Sequence, residues 1–214
     1  MKIFVFSDSH LNAKYDEEFF KWVQYWTKDA DKIIICGDFW DKYVCSRDKF
    51  LDSRWREELF PLLKSKNTHY IYGNHDEEVD QDEGVNQFST SQSLELDMDL
   101  NGKTFHFEHG DRFGTPFDTS WWPFLVRIGY WIQKIMVGII GVSFFKIFKH
   151  QVDDIESVWG KNDKFLVCGH THYGAEGENY YILNPSAFGL EYGLIIDEGK
   201  LTRVKGYEQI KKRE

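Results

Sequence analysis

Cysteine is scarce in this sequence, and its spacing excludes a disulfide framework. The 214 residues contain only three cysteines, an odd number, and no CxxC motif. Such usage is typical of a protein in a reducing compartment. Cys36 and Cys168 end apolar runs and are interpreted as buried strand residues. We expect Cys45 to be an inert thiol too, rather than a nucleophile.

Positive charge is also in short supply. Lys and Arg total 26 against 35 Asp and Glu, which gives a formal net charge of −9. Nucleic-acid binding depends on basic side chains that neutralise phosphates, so we expect no nucleic-acid partner.

No targeting segment, repeat or linker is recognisable. The apolar run in MKIFVFSDSH is too short for a signal peptide, and we expect a cytoplasmic protein. The length suits one domain over residues 1–214 with a sizeable core.

The first half of the chain alternates strand and helix patterns. This β-α-β-α-β order predicts parallel strands with helices packed on their faces. The predicted strands are Ile3–Phe6, Ile33–Cys36 and His69–Tyr72, and the predicted helices are Asp16–Lys28 and Arg47–Lys64, the second interrupted near Pro61.

The second half contains two hairpin patterns. Apolar and polar residues alternate on both sides of Asn101-Gly102, and again around Glu198-Gly199. Asn-Gly between alternating runs is a strong hairpin signal. We therefore expect an α/β fold in which two packed sheets of mixed strands have helices outside.

A segment at about 117–150 has a different character. From Thr119 to Val152 it contains no Asp or Glu. We predict an apolar helical insert, or two helices broken near 138–141. The residues at helical spacing are Trp121, Trp122, Phe124, Leu125, Ile128, Ile132, Ile135, Met136, Ile139 and Ile140.

Cations within this insert favour a membrane surface over a membrane span. Arg127 and Lys134 interrupt the apolar run, and Ile135–Phe145 is too short to cross a bilayer. Apolar bulk with isolated positive charges suits peripheral contact with an anionic membrane through 119–150. Packing onto the chain's own core, or a homodimer interface, is the open alternative.

Five polar motifs follow apolar runs, where metal ligands of an α/β sheet are expected. Each motif alone is common, but five of the eight histidines lie within them. The motifs are Asp8-Ser9-His10, Gly37-Asp38-Phe39-Trp40-Asp41, Gly73-Asn74-His75-Asp76, His109-Gly110-Asp111 and Gly169-His170-Thr171-His172.

The residue types in these motifs predict a two-metal site. Asp8 and His10 leave a strand end on the same side, and so do His170 and His172, whereas Asp38 can bridge two ions. Mixed nitrogen and oxygen ligands favour Mn, Fe, Zn or Co. Two divalent ions about 3.5–4 Å apart activate water and clamp phosphoryl oxygens.

This motif set resembles the calcineurin-like metallophosphoesterase superfamily, whose pattern is D-x-H, G-D-x-x-D, G-N-H-[D/E], a later His and G-H-x-H. The resemblance implies a four-layer fold, a β-sandwich flanked by helices. It also implies one ion held by Asp8, His10, Asp38 and His172, and a second held by Asp38, Asn74, His109 and His170.

The same resemblance implies roles for three further side chains. His75 would protonate the leaving oxygen or stabilise the transition state, and Asp76 would orient it. Asp41 would support the site from behind the ligands, although a turn or helix-cap role has comparable weight.

The position of the insert, after His109-Gly110-Asp111, is similar to the UDP-2,3-diacylglucosamine pyrophosphatase branch, where a helical insertion over the metals receives acyl chains. Many members of that branch have Arg where this chain has His75. The resemblance implies a phosphate-containing substrate that is lipid-linked and taken at the inner face of the membrane. A soluble phosphodiesterase or phosphomonoesterase acting on small nucleotides, and a scaffold of this fold without catalysis, are the alternatives.

Three further residues have two interpretations each. Phe39 and Trp40 fit contact with a base or acyl chain, or ordinary core packing. Arg112 fits a phosphate contact or a structural ion pair.

Overall fold

The computed structural model describes residues 1–76, 82–113, 123–187, 189–190 and 192–206, with the side chains of 123–127 and 130 left out. Two mixed sheets form the centre of the fold. One has the strand order β11-β10-β1-β2-β3-β4, and the other β5-β6-β7-β9-β8. The strands are β1 Lys2–Phe6, β2 Lys32–Cys36, β3 His69–Ile71, β4 Ser91–Ser93, β5 Glu95–Leu100, β6 Lys103–Glu108, β7 Phe165–Cys168, β8 Ala175–Glu176, β9 Tyr180–Ile182, β10 Gly193–Asp197 and β11 Lys200–Val204.

The central strands are apolar on both faces because both faces are covered. In β1, Ile3 and Val5 point between the two sheets, whereas Phe4 and Phe6 pack under the helices. Parallel strands with two buried faces read as continuous apolar runs. The predicted parallel order is confirmed, since β2 pairs in parallel with both β1 and β3.

Helices cover the outer face of each sheet and complete four layers. α1 (Glu17–Thr27), α2 (Arg47–Leu51) and α3 (Trp55–Ser65) pack on the first sheet. α5 (Lys149–Trp159) packs on the second through Val152, Ile155 and Trp159. The expected α/β architecture, two packed mixed sheets flanked by helices, is confirmed.

The helix expected over Arg47–Lys64 differs from the prediction in where it breaks. The chain leaves the helix at Asp52, the C-cap of α2, and Pro61 lies inside α3. Proline removes one backbone donor and leaves the carbonyl four residues earlier without its partner. Pro61 and Glu57 are both exposed, so water can satisfy that carbonyl and the break near Pro61 is not needed.

Both predicted hairpins form as the turn residues indicate. β5 and β6 pair antiparallel across Asn101 (φ 54°) and Gly102 (φ 81°). β10 and β11 pair across Glu198 (φ 50°) and Gly199 (φ 83°). Positive φ at both central residues matches the right-handed twist of the strands.

The apolar segment forms α4 (Pro123–Ile140), followed by a 3-10 helix over Gly141–Phe148. The predicted break falls at Gly141, which has a φ of 62°. Val137 and Phe145 are buried, but most described apolar side chains of α4 face outwards. Trp121 and Trp122 of the predicted stripe lie outside the described residues, as do the side chains of Phe124, Leu125 and Arg127.

One described helical stretch, Trp131–Trp159, has the length and composition of a membrane span, with a mean hydropathy of 1.5. Its geometry argues against that assignment, because the axis breaks at Gly141. Beyond the break, Phe145 and Ile155 are fully buried in the protein. Within this stretch, most of the exposed large apolar side chains belong to α4.

Candidate metal centre

The five polar motifs meet at one edge of the two sheets. Asp8, Asp38 and Asn74 follow the ends of β1, β2 and β3, which run in parallel. His109 follows β6, and His170 and His172 follow β7, its parallel neighbour. Because the carboxyl ends of parallel strands share an edge, residues 164 positions apart in the chain become neighbours.

The residues of this edge adopt a backbone conformation that is uncommon outside glycine. The φ angles are 52° at Asp8, 45° at His10, 52° at Asp38, 66° at His170 and 55° at His172. Left-handed backbone at non-glycine residues has an energetic cost and concentrates at functional sites. Five such residues at one edge indicate that the positions of their side chains are tightly specified.

One donor group consists of Asp8, His10 and His172. His172 Nε2 lies 3.0 Å from His10 Nε2 and 3.2 Å from Asp8 Oδ1. All three residues are buried. The Ser7 hydroxyl donates to Asp8 Oδ2, and the backbone N–H of His170 donates to the same carboxylate.

A second donor group surrounds Asp38 and Asn74. His109 Nε2 lies 3.4 Å from Asp38 Oδ2 and 3.1 Å from Asn74 Oδ1. His170 Nδ1 lies 3.0 Å from that same amide oxygen. Asp38 Oδ2 is also 3.8 Å from His10 Nε2, so its carboxylate stands between the two groups. The structure therefore brings together all seven predicted ligands.

Several acceptor atoms of this centre face one another, which requires a positive charge between them. His109 Nδ1 donates to the carbonyl oxygen of Cys36 at 2.9 Å. In a neutral ring that donation leaves Nε2 with a lone pair, facing the acceptor oxygens of Asn74 and Asp38. A proton or a metal ion must lie between such atoms, and the mixed donor set fits a divalent transition metal.

Without an ion, protons supply that charge. Burial disfavours a charged His10, but the hydrogen bond with Asp41 and the charge of Asp38 outweigh it and raise its pKa to about 9. The pKa of His109 is likewise raised, because the charge of Asp38 outweighs burial. Burial acts against the low pKa of Asp8, which His172 nevertheless holds at about 2.

We expect Mn²⁺ binding to release protons and to strengthen as pH rises towards about 9. The raised pKa of His10 keeps its imidazole protonated below that pH, whereas ligation needs it neutral. Calorimetric titration with Mn²⁺ at neutral pH, in buffers of different ionisation enthalpy, should show buffer-dependent heats. Asp41→Asn, which removes a cause of the raised pKa, should reduce the proton release. Heats that are independent of buffer would contradict the expectation.

Asp41, and not Asp76, is the carboxylate beside the His75 imidazole. Asp41 Oδ1 lies 3.3 Å from His75 Nδ1, and its Oδ2 lies 3.6 Å from His10 Nδ1. His10 and Tyr43 contact the His75 ring edge-on, at 4.7 and 5.1 Å between centroids. The prediction that Asp76 orients His75 is therefore corrected, and Asp41 has that position.

Asp76 lies behind Asp38 and holds the backbone there. Its Oδ2 accepts the N–H of Asp38 at 2.7 Å and the N–H of Gly73 at 3.1 Å. Burial, reinforced by the charge of Asp38, raises the pKa of Asp76 to about 7. Its side chain thus fixes the left-handed turn at Asp38 instead of contacting His75.

Phe39, Trp40 and Arg112 each had two interpretations from the sequence. The structure places both aromatic residues in the core and Arg112 in an ion pair. Phe39 and Trp40 are buried in the core, with Trp40 stacked on Phe50. Arg112 makes a two-pronged ion pair with Glu108 at 2.6 and 2.8 Å. The three cysteines are free and buried, as expected of inert thiols.

The close packing at Gly169 gives a direct test of the centre. A Cβ at this position would overlap the Asp8 carboxylate and the Ser7 side chain. Gly169→Ala should therefore displace Asp8, destabilise the fold by about 1–3 kcal/mol and weaken Mn²⁺ binding. Gly138→Ala is the control, because its Cβ would meet open space in α4. Titration calorimetry and thermal unfolding measure both, and unchanged Mn²⁺ affinity in Gly169→Ala would contradict the assignment.

Two contributions to the centre were not anticipated from the sequence. The ring of Phe145 lies 5.1 Å from that of His172, edge-on, so the 3-10 helix of the insert contacts the centre. The Ser186 hydroxyl donates to the carbonyl oxygen of Ser7 at 2.7 Å and accepts from the Ser9 hydroxyl at 2.8 Å. Neither has a sequence signal, because phenylalanine and serine are common and the contacts join distant segments.

Comparison with known proteins assigns the chain to a family. The model of the calcineurin-like phosphoesterase superfamily domain matches residues 1–191. The chain therefore belongs to the calcineurin-like phosphoesterase superfamily. Members of this family typically bind divalent metals, in agreement with the donor groups around Asp8 and Asp38.

Several solved structures are similar to the chain at low identity. Vps29 of Entamoeba histolytica complexed with Zn²⁺ is 11% identical, with 96% of this chain and 99% of that chain covered and a TM-score of 0.49. The phosphoesterase YfcE of E. coli is 13% identical (95% and 98% covered, TM-score 0.47). A predicted phosphoesterase of Streptococcus pneumoniae is 15% identical (95% and 97% covered, TM-score 0.40). A search of curated proteins finds no match.

Proposed function

We propose that this chain, as a member of that superfamily, is a metal-dependent phosphohydrolase that acts on a lipid-linked nucleotide diphosphate or a similar phosphate at a membrane surface. The observation that carries the proposal is the position of α4. α4 carries exposed apolar side chains, and the 3-10 helix that follows it contacts a proposed metal ligand through Phe145 and His172.

The seven ligand side chains would hold two divalent ions, for which we propose Mn²⁺, with Fe, Zn and Co as chemical alternatives. Such ions generate a nucleophile from water and neutralise the charge of phosphoryl oxygens. Asp8, His10, Asp38 and His172 would hold one ion, and Asp38, Asn74, His109 and His170 the other.

His75 supplies the proton that hydrolysis requires. When water attacks phosphorus and the bond to the leaving oxygen breaks, that oxygen gains negative charge and needs a proton. Asp41 lies against Nδ1 of His75, which leaves Nε2 for proton transfer. The Asp41 carboxylate fixes the orientation of the ring.

The outward face of α4 supports a lipid partner. Trp131 is 60% exposed, Ile135 59% and Ile139 70%. Ile128, Ile132, Ile140 and Ile147 extend the same exposed set. Contiguous apolar surface of this kind is unusual on a soluble protein unless something covers it.

The charge of the insert favours an anionic bilayer as the binding partner of this apolar surface. No Asp or Glu occurs from Thr119 to Val152, although the whole chain has a net charge of −9. Lys146 and Lys149 are exposed beside the apolar residues. Basic residues next to an apolar helical face are attracted to anionic lipid. We place the protein at the inner, cytoplasmic face of a membrane on this basis.

A matched pair of substrates tests the proposal. We expect the wild-type protein with Mn²⁺ to favour a diacylated UDP-sugar in mixed micelles over its deacylated form by about tenfold or more in kcat/KM. Ile135→Glu with Ile139→Glu should remove that preference. Val158→Glu is the control, since Val158 is 65% exposed but lies on α5.

The outcomes separate the candidate partners of the apolar face. Equal rates with and without acyl chains would contradict a lipid-linked substrate and favour a soluble nucleotide. Dimer dissociation in the double variant, without loss of the acyl preference, would assign the face to a second copy of the chain.

A further inference from the structure

A cleft of about 300 Å³ opens beside the metal centre, between three separate segments of the chain. The β1–α1 loop forms one side, from Ser9 to Asp16, and Ser186, Ala187 and Gly189 form another. α4 contributes Lys134, and His10 of the first donor group lies in the same lining. The cleft is therefore continuous with the place where a phosphate would react.

Two lysines give this cleft a positive charge. Lys14 and Lys134 both line it, and among the described residues neither is in an ion pair. Asp16 is the acidic residue of the lining, but its carboxylate caps α1 through the N–H groups of Glu18 and Phe19 at 3.0 and 3.1 Å. Both lysines therefore contribute to the lining, in a chain of net charge −9, and the ammonium group of Lys134 lies 5.7 Å from the centroid of the Trp131 ring.

Lys134 lies on α4, the same helix that carries the exposed apolar side chains. Val137, one turn further along α4, is buried, whereas Ile135 and Ile139 are exposed on the other side. Residues three apart lie on the same side of a helix, and Lys134 stands three residues after the exposed Trp131 and three before the buried Val137, at the boundary between the outward and inward faces. The helix that we propose to contact lipid therefore also delivers a cation to the cleft.

We infer that Lys14 and Lys134 bind the second phosphate of a diphosphate substrate, and so make the site selective for diphosphates over simple phosphate esters. This inference rests on the proposed phosphohydrolase function. The ions neutralise the phosphate under attack, and a neighbouring phosphate brings further negative charge into the cleft. A lysine ammonium group is a compact positive charge on a flexible stem, and its three N–H donors can bind the oxygens of that phosphate.

Binding of inorganic pyrophosphate and of inorganic phosphate to the Mn²⁺-loaded protein provides a test that needs no turnover. For Lys14→Met with Lys134→Met, we expect the ratio of pyrophosphate affinity to phosphate affinity to fall by about tenfold or more. Lys14→Arg with Lys134→Arg should retain most of that ratio, because it keeps both charges. Lys161→Met, an exposed lysine of the α5–β7 turn, is the control for a change in overall charge.

Turnover provides the second readout. The selectivity in kcat/KM for a soluble UDP-sugar over bis(p-nitrophenyl) phosphate should fall in the double Met variant, mainly through KM. A ratio of affinities that stays within about twofold of wild type would overturn the inference. Hydrolysis of neither substrate by the wild type, with a lysine-dependent pyrophosphate affinity, would instead reject the proposed function and leave the cleft assignment intact.

Discussion

Asp38→Asn should lower metal-dependent phosphate hydrolysis by about a thousandfold or more. The Asp38 carboxylate lies 3.8 Å from His10 Nε2 and 3.4 Å from His109 Nε2, between the two donor groups. Asparagine keeps the shape but replaces one anionic oxygen with an N–H₂ group, which cannot bridge two cations. Initial rates on a phosphodiester and metal content per chain measure the two consequences together.

A surface aspartate provides the control for this substitution. Asp52→Asn removes an exposed carboxylate whose ion pair, within the described part of the chain, is with Arg56 on the helical surface. We expect it to leave the rate and the metal content at wild-type values. If Asp38→Asn retained both as well, the assignment of Asp38 as the shared ligand would be wrong.

His75→Gln should reduce kcat by about 10²- to 10⁴-fold, with Mn²⁺ affinity close to that of the wild type. His75 is not among the seven predicted ligands, and its contact with Asp41 supports the proposed role in proton transfer. Asp41→Asn should give a smaller loss of kcat, because it removes the orienting carboxylate but not the imidazole.

The leaving group distinguishes proton transfer from a structural role. The loss in His75→Gln should be largest for an alkoxide or sugar-phosphate leaving group and smallest for p-nitrophenolate, which departs without a proton. His150→Gln, at an exposed position on α5, is the control and should match wild type on both. An equal loss on both kinds of substrate would rule out His75 as the general acid.

Local patterns predicted the fold well where one physical cause dominates. Ile3–Phe6 and Ile33–Cys36 are apolar because both of their faces are covered, and that burial also makes them central parallel strands. Asn101-Gly102 predicts its hairpin because few residues tolerate positive φ at both positions. Pro61 did not mark the break in the helix. On an exposed helix face, a carbonyl that loses its backbone partner to proline can bond to water instead.

The meeting of the seven predicted ligand side chains at one edge could be predicted because they follow strand ends in a recognisable order. The carboxylate that lies beside the His75 ring could not be predicted in the same way. Asp76 is adjacent to His75 in the chain, whereas Asp41 belongs to a different motif. In the folded chain the Asp76 carboxylate accepts the backbone N–H of Asp38, and the Asp41 carboxylate lies beside the imidazole instead. Sequence spacing does not encode that choice.

The insert shows a similar limit. Helical spacing predicted α4 and its break at Gly141, but periodicity alone does not say which way an apolar face points. The structure shows Val137 buried and Ile139 exposed, with Lys134 in the cleft. The Phe145 contact with His172 and the cleft shared with the β1–α1 loop both bring together segments that are distant in sequence.

The most direct test of a two-metal phosphohydrolase is the hydrolysis rate of chelator-treated protein as Mn²⁺ is restored. The substrates are a diacylated UDP-sugar and bis(p-nitrophenyl) phosphate. We predict no turnover by the metal-free protein and a rate that rises as the second equivalent of Mn²⁺ binds. Turnover that persists without metal would contradict a two-metal phosphohydrolase. So would the absence of hydrolysis of both substrates when two ions are bound.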